Sequence, residues 1–164
     1  MLRYVEKLRV PVRFALLGDV PVHGQFSLAP QAELHEGPET LLERLNAPQR
    51  VLPFHRTVDD TVVLVTRINI AWVEAGDTVD PHLVRPKTYM TTREERVHVR
   101  LLGGEAFDGV LAMEMPHEFN RASDYLNGGD EFFPLLAARG TLLINKARVL
   151  DVRVSAAPSV PKAA

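Results

Sequence analysis

The stretch VHVRLLGGEAFDGVLAM, Val97 to Met113, has an earlier counterpart in VRFALLGDVPVHGQFSL, Val12 to Leu28. Residues 97, 103, 109 and 113 follow 12, 18, 24 and 28 at one constant spacing of 85. In both copies apolar residues alternate with others: Val97, Val99 and Leu101 in one, Val12, Phe14 and Leu16 in the other. That is the period of a half-buried strand. A Leu-Leu-Gly turn follows, then a second alternating run: Phe107, Gly109, Leu111 and Met113, or Val22, Gly24, Phe26 and Leu28. Each copy is predicted to form a β-hairpin.

Outward from the hairpins the order repeats. After the first, ETLLERLN is predicted to be a helix of about two turns. Pro38-Glu39 stands in its first turn, and Leu41, Leu42 and Leu45 share a face. Asn46 is expected in a left-handed cap position, with Pro48 as the stop. Arg50–His55 then leads through Asp59-Asp60 into one β-branched strand, Thr61–Val73. In the second half Ser123 is expected to cap the helix SDYLN, which Gly128-Gly129 ends. The spacing falls to 81 here, matching Asn127 with Asn46, Phe132 with Val51 and Pro134 with Pro53. It falls to 79 in the last strand, matching Leu142 with Val63, Lys146 with Arg67 and Val152 with Val73. Six landmarks in one order, with deletions only in loops, point to tandem duplication.

The expected fold is mainly β: two tandem small barrels, each hairpin, short helix, hairpin, related by an internal pseudo-two-fold. Residues 8–74 form the first, 75–95 a linker anchored by Leu83, Val84 and Tyr89, and 96–154 the second. The tail 155–164 is small, polar and proline-bearing, and is expected to be disordered. Four strands cannot bury both faces while flat, so curling into a barrel is expected.

Composition narrows the class. A net charge of −2 gives no general attraction to nucleic acid or anionic membranes. The absence of cysteine excludes disulfides and thiolate metal sites and fits a reducing cytosol. No apolar run approaches a membrane span, so a cytoplasmic protein without membrane association is expected.

The second hairpin resembles the first motif of the Sm-like family through Val97, Val99, Leu101, Gly104, Phe107, Gly109 and Leu111. LLINKARV resembles that family's second motif in Leu143, Ile144 and Val149. The resemblance implies small SH3-like barrels. RNA binding follows less well, because Asn145-Lys146 and Thr66-Arg67 stand where the family has Arg-Gly. The Arg121, Ser123, Asp124, Leu126, Asn127 run also resembles bacterial domains to which no function attaches. A weaker resemblance, to the cyclic di-GMP-binding PilZ barrels, rests on the spacing of Arg9 with Arg13 and Arg96 with Arg100. Their second binding element is missing.

Arg121, Ser123 and Asp124 beside a helix start could hold an anion or a partner's carboxylate; local capping explains them more simply. Arg67 and Lys146, with Asn145, are candidate partner contacts at matching places. His35-Glu36 and His117-Glu118 recur in roughly equivalent loops, but a solvated loop is the simpler account and no metal site is expected. No nucleophile elbow, P-loop or dinucleotide fingerprint is present, so no catalytic residue and no cofactor are expected. The expected function is a non-catalytic adaptor that binds a protein partner or itself. The alternatives are an anion sensor using Arg9, Arg13, Arg96 and Arg100, and an RNA binder.

Overall fold

The computed structural model describes residues 7–87, 89–115 and 121–155. In the first half β1 (Leu8–Leu16), β2 (Val22–Leu28), α1 (Leu41–Asn46), β3 (Val51–Arg56) and β4 (Val62–Thr66) lead through a 3-10 turn, Arg67–Asn69, into β5 (Ile70–Gly76). After α2 (Pro81–Val84) come β6 (Arg93–Leu101), β7 (Ala106–Met113), α3 (Ala122–Leu126), β8 (Phe132–Ala137) and β9 (Gly140–Asn145). A 3-10 turn, Lys146–Arg148, precedes β10 (Val149–Val154). All ten strands join one open antiparallel sheet in the order β10-β6-β7-β8-β9-β5-β1-β2-β3-β4. The chain is mainly β, and among the described residues no helix is long and apolar enough to cross a membrane.

Both hairpins form at the expected places. Gly24 lies opposite Val12 and Gly109 opposite Val97, in the same register. Each glycine lets the next strand's backbone approach closely: a Cβ on Gly24 would lie 2.1 Å from the His55 carbonyl oxygen, and one on Gly109 2.6 Å from that of Leu136. A side chain at either place would push β3 from β2, or β8 from β7.

The expected pair of small four-stranded barrels is not confirmed, and the sheet is not closed. The runs 61–73 and 141–152 are not single strands; a 3-10 turn breaks each and redirects its end to the first strand of its half, giving β5·β1 and β10·β6. Each half thus contributes five strands. β5 does not close on β4, because its free edge is taken by β9, with Trp72 opposite Ile144, Val73 opposite Leu143 and Gly76 opposite Gly140. The sheet stays open as a result.

Three helix ends differ from expectation as well. α1 starts later than Pro38-Glu39 because Thr40 and Glu43 form a reciprocal capping box: the Thr40 side chain accepts from the Glu43 N–H, and the Glu43 carboxylate from the Thr40 N–H. Asn46 is not left-handed; the C-cap is Ala47 in extended conformation, and Asp60 alone among the described non-glycine residues has positive φ. Ser123 lies within α3, whose N-cap position is Arg121 with no side-chain cap bond.

The core consists of two apolar clusters that exchange side chains. The first, around Phe14, Phe26 and Phe54, includes Phe132 and Leu143 from the second half. The second, around Val99, Leu111 and Phe133, includes Ala15, Ala71 and Trp72 from the first. Residues 75–95 contain the end of β5, α2 and the start of β6; Val84 is buried, with Leu83 and Tyr89 packed against the first cluster.

Candidate functional site

Arg67 and Lys146 each begin a 3-10 turn, and each reaches back to the end of its half's short helix. Arg67 donates from Nε to the Gln49 carbonyl at 2.9 Å and from Nη1 to that of Leu45 at 3.4 Å, and pairs with the Glu131 carboxylate. Lys146 Nζ donates to the carbonyls of Tyr125, at 3.4 Å, and Gly128, at 3.3 Å, and lies over the Tyr125 ring. A cation at helix carbonyls satisfies acceptors the helix leaves open. Burial pulls the Lys146 ammonium below its usual range.

Asn145 is buried at the junction of the halves. Its amide donates to the carbonyls of Ile68, at 3.2 Å, and Ile70, at 3.0 Å, while its oxygen accepts from the Ala147 N–H at 3.0 Å. Asn46 makes the matching link in the other direction: its oxygen accepts from the Phe132 N–H at 2.8 Å and its amide donates to the Phe132 carbonyl at 3.3 Å. Arg148 adds a bond to the Ile68 carbonyl at 2.9 Å. Arg67, Asn145 and Lys146 therefore spend their donors inside the molecule, joining helix ends and halves. Sequence reasoning missed Asn46 and Arg148 in this seam, although the match of Asn46 with Asn127 marked one of them.

Arg121, Ser123 and Asp124 are not drawn to this seam and make no side-chain hydrogen bond or ion pair among the described residues. The arginine quartet does not converge either. Arg9 and Arg13 lie on β1, Arg96 and Arg100 on β6, and four strands stand between β1 and β6 in the sheet. Arg13 holds Glu74 through two bonds, at 3.2 and 3.3 Å, and stacks 5.0 Å from the Trp72 ring. Arg100 holds Asp151 in the same two-pronged way, which lowers the Asp151 pKa and raises that of Arg100. Arg9 and Arg96 are exposed.

Clefts indent the surface at several places. One of about 570 Å³ is lined by Arg13, His23, Gly24, Thr57 and Glu74. A second, of about 380 Å³, sits at the corresponding place of the other half, beside Arg96, His98, Asp108, Gly109 and Arg153. A third, of about 360 Å³, runs between α1 and α3, where the Tyr89 and Tyr125 hydroxyls bond at 2.8 Å. Burial raises the pKa of both phenols, keeping them neutral. Histidine meets carboxylate at His35–Glu43, where the Thr40 hydroxyl also donates to Glu43 at 2.9 Å, and at His55–Asp60 and His98–Asp108. Among the described residues no cluster of ligands suits a metal ion; His117 and Glu118 lie outside them.

What remains open is backbone. Among the described residues β4 and β10 end the sheet, each bonded on one side only. Val62 and Leu64 are exposed on β4, Val51 on the neighbouring β3, and Leu150 and Val154 on β10. Compared with family models, curated proteins and solved structures, the chain matches none.

Proposed function

We propose that the chain is a non-catalytic adaptor, built from two copies of one Sm-like or SH3-like five-stranded half, that binds polypeptide along its open sheet edges. The observation that carries this is the pair of terminal strands, unpartnered among the described residues, with exposed apolar side chains. An unpaired strand offers a row of N–H and C=O groups, and a polypeptide strand satisfies them while its alternate side chains meet the apolar positions. The repeated strand order, with Gly24 and Gly109 in one register, supports the duplication. The lack of cysteine favours a cytoplasmic setting. The anion-sensing alternative has less support, since Arg13 and Arg100 are already neutralised by Glu74 and Asp151.

The test places a photo-crosslinking amino acid at Leu64 or Leu150 in cells, with Arg139 in the exposed β8–β9 turn as control. Polypeptide adducts at the two edges and few at the turn support edge binding. Equal yields at all three positions overturn it.

A further inference from the structure

One strand pairing joins the halves, β5 with β9, and it unites unlike edges. β5 lies beside β1 as β10 lies beside β6, while β9 is the outermost strand of its half as β4 is of the other. Among the described residues the sheet therefore ends in one free edge of each kind.

We propose that a second copy of this chain docks on these edges head to tail, β10 of one molecule pairing antiparallel with β4 of the next, as β5 pairs with β9 within one chain. This rests on the edge-binding reading above and names the partner.

The apolar positions that the internal junction covers are the ones left open at the two ends. Leu143 and Phe132 are buried there, 0% and 1% exposed; their counterparts at spacings of 79 and 81 are Leu64 at 69% and Val51 at 43%. On the opposing side Ala71 and Ala75 are 3% and 1% exposed, whereas their counterparts Leu150 and Val154 are at 55% and 49%. Leu143 and Phe132 enter the other half's core, so Leu64 and Val51 are side chains shaped for a core their own molecule does not supply. β4, VVLVT, carries no charge, proline or bulge, the features that ordinarily protect an exposed edge. An edge so unguarded calls for a cover.

The internal register carries over directly. Trp72 opposite Ile144, Val73 opposite Leu143 and Ala75 opposite Thr141 become Asp151 opposite Val65, Val152 opposite Leu64 and Val154 opposite Val62 of the neighbour. Backbone direction agrees. The Ser155 N–H donates to the Arg96 carbonyl, so alternation along an antiparallel pair turns the backbone groups of Val152 and Val154 away from β6, to the open side. Because the two joined patches differ, the contact does not close as a two-fold dimer; it propagates into a ring or a filament.

The experiment is sedimentation velocity on the full chain and two edge variants, Leu64→Lys on β4 and Val154→Pro on β10. The wild type is expected as assemblies larger than the 18.3 kDa monomer. Each variant alone shifts assembly to concentrations at least about tenfold higher, with its circular dichroism unchanged. Mixed, the variants form a one-to-one dimer that grows no further, since each contributes the edge the other lacks. Should Val154→Pro lose its fold, Leu150→Glu on the same edge takes its place. A monomeric wild type at all concentrations overturns the proposal. So do variants that remain oligomeric, or that fail to complement on mixing. A monomeric wild type that still crosslinks to another polypeptide through Leu64 or Leu150 leaves the edge-binding adaptor standing with a different partner.

Discussion

Asn145 shows what a buried amide does when three backbone groups depend on it. It is 1% exposed and serves two carbonyls of the first half and one N–H of its own turn. Truncation leaves those groups desolvated and unpaired, and each orphan costs roughly 1–3 kcal/mol. Asn145→Ala is therefore expected to destabilise by about 2–4 kcal/mol, read from the urea midpoint at constant slope. His35 makes a different prediction. Its Nε2 sits 2.6 Å from Glu43, and that bond raises its pKa above 6.5. A group raised on folding stabilises fully below its unfolded pKa, and that contribution disappears as pH climbs through the folded value. Between about pH 6 and 8 the wild type is expected to lose more stability than His35→Gln, measured as the difference of their urea midpoints.

At the scale of the element, two glycines do the same work in two places. The Cβ of Gly24→Ala meets a carbonyl oxygen at 2.1 Å and that of Gly109→Ala meets one at 2.6 Å; backbone cannot swing aside as a side chain tip does. Each substitution is expected to cost roughly 3 kcal/mol, a fall in Tm of about 6–12 °C by calorimetry. Gly129→Ala, with nothing within 4 Å and an ordinary φ, is the near-neutral control. These hairpins were legible because alternation in Val97, Val99 and Leu101 survives folding unchanged into a buried pattern. The 3-10 breaks were not. In TVVLVTRINIAWV the apolar residues continue through the break, and only the change of buried phase between Val65 and Ile70 records it. Ser123 misled for a related reason: a residue that caps well also occurs within the first turn, and here it lies two positions past the cap residue, Arg121. Of the candidate site, Arg67 and Lys146 were legible as matching positions of the repeat and Asn145 as their neighbour, but the carbonyls of distant turns that they bind are encoded by no local pattern.

At the scale of the molecule, the exchange of side chains between the two core clusters makes the halves depend on each other. Trp72, the single tryptophan, belongs to a first-half strand and packs in the second cluster. Fluorescence and far-ultraviolet circular dichroism are expected to report one coincident unfolding transition. Fragments 1–88 and 89–164 made separately are expected to remain unfolded or aggregate, and to regain the native spectrum when expressed together. Separate folding of either fragment, or two resolved transitions, argues for autonomous halves. The ten-stranded sheet as a whole was out of reach of periodicity, since alternation specifies which face a strand buries and says nothing of which edge it joins.

The same dependence gives the nascent chain a timetable. By the time Gly76 has been polymerised the N-terminal portion has all its own strands, yet Phe132 and Leu143, which finish its interior, are still unmade. At ribosomal speeds of about 5–20 residues per second, the wait until Leu143 is added lasts roughly 3–13 s. For that interval the emerging polypeptide holds the apolar residues of the first cluster without the two second-half side chains that complete it, and folding waits for β9.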